Sequence, residues 1–182
     1  MTTPGTEADL LARVVAGDRQ AFDLIMRSQE DRVFAVCLRI LGNRDNALDA
    51  TQETFLTVFR KAGQFQGNSA LGTWIYRIAV NTCYDQIRKT SRRPTEPLDD
   101  HFEPVDQSAE DAVQSAALRP DIEKALARLP EDFRAAIVLS DLEGMSLPEA
   151  AEALGIPVGT VKSRVFRARR LLAEQLGNQI TS

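Results

Sequence analysis

The stretch Ser146–Leu172, SLPEAAEALGIPVGTVKSRVFRARRLL, decides how the rest of the chain is read. It spells a helix, a tight turn and a second helix. Ser146 followed three residues later by Glu149 makes a capping box, in which each side chain closes a backbone N–H that the first turn leaves orphaned. Leu147, Ala150, Ala151 and Leu154 give the first helix a short apolar face, and Gly155 stands where a left-handed cap would end it. Pro157 lies near the start of the second helix, where its missing N–H costs little. Val161, Val165, Ala168 and Leu172 recur at i, i+4, i+7 and i+11 and so share one side. At about 100° per residue, Gly159, Ser163, Phe166, Arg167 and Arg170 fall opposite, flanked by Lys162 and Arg169. Thr160 to Arg170 holds five basic residues and no acid. A helix-turn-helix with a cationic outer face is the geometry that sets a recognition helix in the DNA major groove. The bland alternative is a helical hairpin whose basic side is merely solvated.

Composition sets the frame around this motif. The chain has 182 residues, 43% of them hydrophobic, enough for one sizeable domain or two small ones. Ala, Leu and Arg dominate, which favours helix. No run approaches the roughly 18 apolar residues of a membrane span, and MTTPGTEADL has neither the basic nor the apolar part of a signal peptide. The expectation is a cytoplasmic protein without membrane insertion. Cys37 and Cys83 stand far apart in sequence within apolar helical patterns and read as reduced core thiols. With one His and two isolated Cys there is no ligand set for a metal, and no cofactor is expected.

The net charge of −4 is unevenly spread. Residues 1–93 carry 13 basic and 10 acidic groups, residues 94–119 one and seven, residues 120–182 eight and nine. The acidic middle therefore masks a positive N-terminal part, so local patches say more than the sum. That middle, with Pro94, Pro97 and Pro104, reads as a flexible acidic linker. Its 26 residues reach at most ~85–95 Å.

On either side the pattern is helical, so the fold class is all-α, with two small helical domains. Helices are predicted over 7–16, 19–41, 44–62 and 70–89, then two more between 120 and 144 ahead of the helix-turn-helix. In 44–62, Leu48, Thr51, Phe55, Phe59 and Ala62 form the expected inner face. Asp49, Glu53, Leu56 and Arg60 line another side, which suits a protein-docking surface or an ordinary solvated helix side with one stray Leu. QFQGNS, Gln64 to Ser69, is a loop with Gly67 and Asn68 able to take positive φ. In the following helix Arg77, Asn81, Tyr84 and Arg88 form one stripe. Arg for phosphates, Asn for base edges and an aromatic for stacking make a single-strand binding set. The loop beside it is placed to hold a base drawn out of the stack.

Two segments carry a family resemblance. DNALDATQETFLTVFRKAGQF…TWIYRIAVNTCYDQIRK and LARLPEDFRAAIVLSDLEGMSLPEAAEALGIPVGTVKSRVFRARRLL closely resemble the extracytoplasmic-function, group four, sigma factors of bacterial RNA polymerase. The likeness covers about 7–93 and 109–176. It implies sigma region 2 over 1–93, an acidic linker over 94–119 and sigma region 4 over 120–182. It implies promoter recognition and DNA melting as a dissociable polymerase subunit, with no catalysis by the chain itself. The implied partners are core RNA polymerase (β′ clamp helices, β flap), promoter DNA as duplex and nontemplate strand, and an anti-sigma factor. Asp49, Gln52, Glu53 and Leu56 fall in the segment that docks on the clamp, with Phe55 supporting it from inside. Phe65, Gln66, Gly67, Asn68 and Ser69 match the loop that captures a base of the minus-ten element, and Arg77, Asn81, Tyr84 and Arg88 lie on the helix after it. Thr160, Lys162, Ser163, Phe166, Arg167 and Arg170 fall on the helix that reads the minus-thirty-five element. Lys162 often appears as Arg in relatives, and Lys lacks the bidentate fork to guanine. The rival reading is a conventional dimeric helix-turn-helix regulator, which would leave the Phe65 loop and the Asp49/Glu53 side without a role.

Overall fold

Helix boundaries follow the local chemistry of the chain. The computed structural model describes residues 6–92 and 120–180, which form an all-α structure. The acidic segment expected to be a linker lies outside the described residues. Helix α1, Glu7–Val15, opens on a Thr6/Asp9 capping box. In α2, Arg19–Leu41, the Asp18 carboxylate accepts from the Gln20 and Ala21 N–H groups, and Gly42 closes the helix at φ 68. Helix α3, Arg44–Lys61, starts under Asn43 and runs into a 3-10 turn, Ala62–Gln64. Helix α4 is Leu71–Arg92. Then come α5, Pro120–Ala127, and α6, Glu131–Ile137. The helix-turn-helix is α7, Leu147–Leu154, and α8, Val158–Ile180, with the expected Ser146/Glu149 box and Gly155 left-handed at φ 65.

One boundary differs from expectation. The pattern predicts a continuous helix through Leu142, but α6 widens into a π-helical turn, Val138–Leu142. There the Glu143 N–H donates to the Val138 carbonyl at 3.0 Å, five residues back. An apolar period cannot report one extra residue per turn.

Helix α2 is central, packed on α1, α3, α4, α5 and α6. Its Val33, Val36, Cys37 and Ile40 are buried together with Ala47, Ala50 and Val58 of α3 and Ile75, Ala79 and Val80 of α4. Alanines on the facing helices let the backbones approach closely. Thr51 and Thr54 also lie in this core and donate to the Ala47 and Ala50 carbonyls at 2.7 and 2.6 Å, so neither hydroxyl is orphaned. The inner face of α3 is thus Ala47, Ala50, Thr51, Thr54, Phe55 and Val58. Leu48 and Phe59, expected inside, stay 41% and 46% exposed, because smaller residues one position away occupy the contact. Cys37 and Cys83 are free buried thiols, as read, but they meet in space. The hydrogen bond with Cys37, together with burial, pushes the Cys83 thiol far above its usual range.

The linker pattern predicts two helical units and does not say whether they touch. They share one continuous core. Ala135, Ala136, Val138, Leu139, Ala150 and Ala151 join the cluster formed by α2, α3 and α4, with α7 lying along α4. A smaller cluster of Leu126, Leu129, Ile137 and Ala168 holds α5, α6 and α8 together. Two polar clasps reinforce the joint. The Arg134 guanidinium donates to the carbonyls of Ile40 (2.7 Å), Ala127 (2.6 Å) and Leu129 (2.8 Å), tying the end of α2 to the α5–α6 corner. The Glu143 carboxylate, at the end of the π turn, meets Arg39 at 2.9 Å and the Tyr76 hydroxyl at 3.1 Å.

Candidate nucleic-acid interface

The second helix of the helix-turn-helix presents its reading face to solvent. Val161, Val165 and Ala168 are buried against α6 and α7, which fixes the rotation of α8. Lys162, Ser163, Phe166, Arg167 and Arg170 therefore point outward, with Thr160 half-buried at the start. Phe166 is 69% exposed, a large aromatic with no packing reason to be there. The Ser163 hydroxyl donates to the Thr160 carbonyl at 2.9 Å and remains at the surface. The five cations of this helix divide by partner. Arg164 is held by Asp132 of α6 at 2.7 Å. Arg169 forks onto Asp141 of the π turn through Nε and Nη2, each at 2.8 Å. That bidentate bond holds the Asp141 carboxyl below the usual carboxylate range. Among the described residues, Arg170 has a long contact with Glu174, at 3.5 Å, within its own helix. Lys162, Arg167 and Arg170 are the cations of this helix that no close carboxylate holds among the described residues.

In α4 the expected stripe is split. Arg77, Asn81 and Arg88 are exposed, and Arg88 forms an ion pair with Asp85 one turn back. Tyr84 is turned toward the C-terminal helices instead. Its hydroxyl is buried without a hydrogen-bond partner among the described residues. Burial, with the Asp132 carboxylate nearby, pushes its pKa up to about 12. Helical spacing put Tyr84 in the stripe, but Asp132 of α6 and Arg164 of α8 lie against that edge of α4. The preceding loop is built on an aromatic anchor: the half-buried Phe65 ring sits 5.2 Å from the Trp74 ring. Gly67 takes φ 70, and Asn68 donates to the Gln66 side chain at 3.1 Å. Gln66, Gly67 and Asn68 are thereby held outward, with Ser69 half-buried where the loop returns to α4.

On α3, Asp49, Gln52, Glu53 and Leu56 are all exposed, and Arg60 lies 3.5 Å from Glu53. Leu56, Leu48 and Phe59 together form an apolar strip bordered by these carboxylates, wider than the single leucine expected. The Phe59 ring is steadied by Phe22 of α2, centroid to centroid 5.1 Å. A groove between α3 and α4, lined by Asp49, Glu53, Arg60, Asn81, Asp85 and Lys89, joins this surface to the open side of α4. Sequence reasoning missed Glu143, Arg134 and Tyr76 altogether, since the partners by which they join the two helix groups lie 67 or more residues away.

Comparisons with known proteins bear on this geometry. Residues 25–93 match the model for sigma-70 region 2, and residues 119–172 that for sigma-70 region 4. The chain is 40% identical over 172 residues to the ECF RNA polymerase sigma factor SigM of Mycobacterium tuberculosis, covering 94% of this chain and 85% of that protein. It is 36% identical over 186 residues to the RNA polymerase sigma-H factor of Pseudomonas aeruginosa, covering 97% and 96%. Among solved structures it is similar to the sigma factor RpoE in complex with the anti-sigma factor NepR from Bartonella quintana. The TM-score is 0.69 and the identity 32%, covering 86% of this chain and 96% of that one. It is also similar to CnrH in complex with the cytosolic domain of CnrY, with a TM-score of 0.69 and 25% identity over 96% of this chain and 99% of that one. Among the described residues no helix is long and apolar enough to cross a membrane. A region 2 match in front of the helix-turn-helix is foreign to a conventional dimeric regulator, and the chain belongs to the extracytoplasmic-function sigma factors of the sigma-70 family.

Proposed function

We propose that this sigma factor divides promoter recognition between its two helical units, 1–93 and 120–182, and performs no catalysis itself. The observation that carries the reading is the outward face of α8, where Lys162, Ser163, Phe166, Arg167 and Arg170 stand clear of the core on a helix whose rotation is fixed. This face reads the minus-thirty-five element as duplex: Arg167 by hydrogen bonds to base edges, Phe166 by apolar contact, and Lys162 and Arg170 on phosphates. The loop Gln66–Ser69 and the exposed Arg77, Asn81 and Arg88 hold the nontemplate strand of the minus-ten element after it opens. Holding an unstacked base offsets the few kcal/mol that each flipped nucleotide costs, so capture shifts the balance toward the melted state.

The α3 surface of Asp49, Gln52, Glu53 and Leu56, extended by Leu48 and Phe59, docks on the clamp helices of core RNA polymerase. An apolar strip with a charged border fits a protein partner better than it fits DNA. The C-terminal unit engages the β flap, and an anti-sigma factor competes for these surfaces. Action on chromosomal promoters would be carried out in the cytoplasm. The test is run-off transcription with core RNA polymerase on a promoter library. Sequence-specific initiation that depends on the added chain is the expected result. Transcription that stays at the level of core enzyme alone overturns the assignment.

A further inference from the structure

Most glycines of the chain explain themselves. Gly17, Gly42, Gly67, Gly144 and Gly155 take left-handed φ, which a side chain adopts only under strain. Gly63 and Gly72 have neighbours, since an added methyl group would meet Val15 at 3.8 Å and Gln29 at 3.7 Å. Gly159, in the opening turn of α8, has neither reason. Its φ is not left-handed, and a methyl group there would meet nothing within 4 Å among the described residues. Glycine is also a poor helix former. Nothing in the described fold accounts for the missing side chain, so its reason lies with whatever this face touches.

The surroundings of Gly159 say what that is. Gly159, Ser163, Phe166 and Arg170 follow one another at i, i+4, i+7 and i+11 and form a single stripe on the reading face. The stripe is graded in height. It starts with no side chain. It continues with Ser163, whose hydroxyl is folded back onto the Thr160 carbonyl at 2.9 Å. It then rises to Phe166, which is 69% exposed, and to Arg170. Val158, beside Gly159, is apolar and 43% exposed, so the low end of this ramp sheds water at little cost. The major groove is about 12 Å wide, and an α-helix with its side chains is about 10–12 Å across, so the fit has little slack. A helix surface that is lowest at its N-terminal end fits by entering with that end deepest. One carbon on the groove-facing side there decides how far the backbone descends.

We propose that Gly159 is the point of closest approach between α8 and the floor of the major groove, and that its missing side chain sets the depth at which Ser163 and Arg167 meet base edges. Gly159 is thus a specificity-determining position that acts by what it lacks. The proposal rests on the assignment of this face to the minus-thirty-five element. The cost of adding a side chain follows from close packing. One extra carbon forced into a filled contact weakens binding about 5- to 150-fold, and a larger side chain weakens it more. In the free chain the same carbon meets only solvent and improves helix propensity, so stability should hold or rise. Opposite signs in fold and binding are what a packing role inside the protein does not produce.

The experiment compares Gly159→Ala, Gly159→Leu and Arg167→Ala with wild type. Holoenzyme assembled from the full chain and core RNA polymerase is titrated on labelled duplex promoter by fluorescence anisotropy, and the free chain is unfolded in urea. Gly159→Ala should leave the urea midpoint unchanged or raised while it weakens promoter binding by the factor above, and Gly159→Leu should weaken binding further. Both losses should vanish on a template with a scrambled minus-thirty-five element, where no specific contact is left to lose. Wild-type affinity in Gly159→Ala, together with a loss in Arg167→Ala, overturns the close approach and leaves the reading face in place. Wild-type affinity in all three variants overturns both. A urea midpoint that falls by more than about 0.5 M in Gly159→Ala puts the role of the glycine inside the fold and overturns the proposal. A loss that persists in full on the scrambled template puts the contact on the sugar-phosphate backbone and overturns the assignment to the groove floor.

Discussion

Arginines two positions apart on α8 should behave in opposite ways when removed. Arg167 is exposed on the reading face, while Arg169 is forked onto Asp141 at 2.8 Å through two nitrogens. A bidentate guanidinium contact to a base in the major groove is worth ~1–3 kcal/mol, or about 5- to 150-fold in affinity. Arg167→Ala should therefore weaken holoenzyme binding to duplex promoter by about that factor, and the loss should vanish on a template with a scrambled minus-thirty-five element. Arg169→Ala removes an exposed ion pair, worth ~0.2–1 kcal/mol to the fold, and no more than about fivefold in DNA affinity. Salt gives an independent reading. Each cation withdrawn from phosphate changes the slope of log K against log salt by about 0.9. Lys162→Ala and Arg170→Ala should flatten that slope by about this amount, and Arg169→Ala should leave it unchanged. The assay is fluorescence anisotropy of holoenzyme on labelled promoter DNA over a range of salt. Equal losses for Arg167→Ala and Arg169→Ala, or a slope that Arg169→Ala flattens as much as Lys162→Ala and Arg170→Ala do, would refute the division of cations into readers and braces.

Three further outcomes follow from other parts of the structure. Arg134→Met removes a guanidinium that donates to three carbonyls and should lower stability by ~3–5 kcal/mol, read as a urea midpoint falling by more than about 1 M; a shift below half of that would show that water replaces the bonds without penalty. Leu56→Glu together with Glu53→Lys should reduce pull-down of core polymerase while leaving circular dichroism native, and unchanged pull-down would move the docking site elsewhere. The Asp141 carboxyl is held below its ordinary value by Arg169, so its contribution is present at neutral pH and is lost as pH falls through its lowered folded value; the stability gap between wild type and Asp141→Asn should be steady from pH 8 to 6 and close below about pH 4, and a gap that widens in acid would contradict the pairing.

Much of this molecule is legible in its sequence because local rules act alone there. Asp18, Gly42, Ser146 and Gly155 cap their helices where capping chemistry places them. The outward rotation of Phe166 and Arg167 follows from Val161, Val165 and Ala168 alone. Legibility fails where two elements far apart in sequence compete for one residue. Tyr84 has the spacing of an exposed stripe, yet it is drawn against α6 and α8. Leu48 and Phe59 have the spacing of a core, yet Ala47 and Val58 win the contact because small side chains allow α2 and α4 to come closer. Glu143 carries no local signal of importance. Ahead of a glycine it reads as a solvated loop acid, and only the meeting of α2, α4 and the π turn makes it a buried carboxylate.

The π turn Val138–Leu142 has a consequence that no substitution would disclose. It inserts one residue into what would otherwise be regular helix, so everything downstream is advanced by one step of phase. Asp141 and Glu143, two residues apart, point to different partners, one to the recognition helix and the other to α2 and α4. Deleting Ser140 would let the segment relax to α-helical register and swing Glu143 through about 100°. The spacing between Asp141 and Arg169 would change with it. At half-buried Ser140 the presence of a residue matters more than its kind, and a substitution that keeps length should be tolerated far better than its deletion.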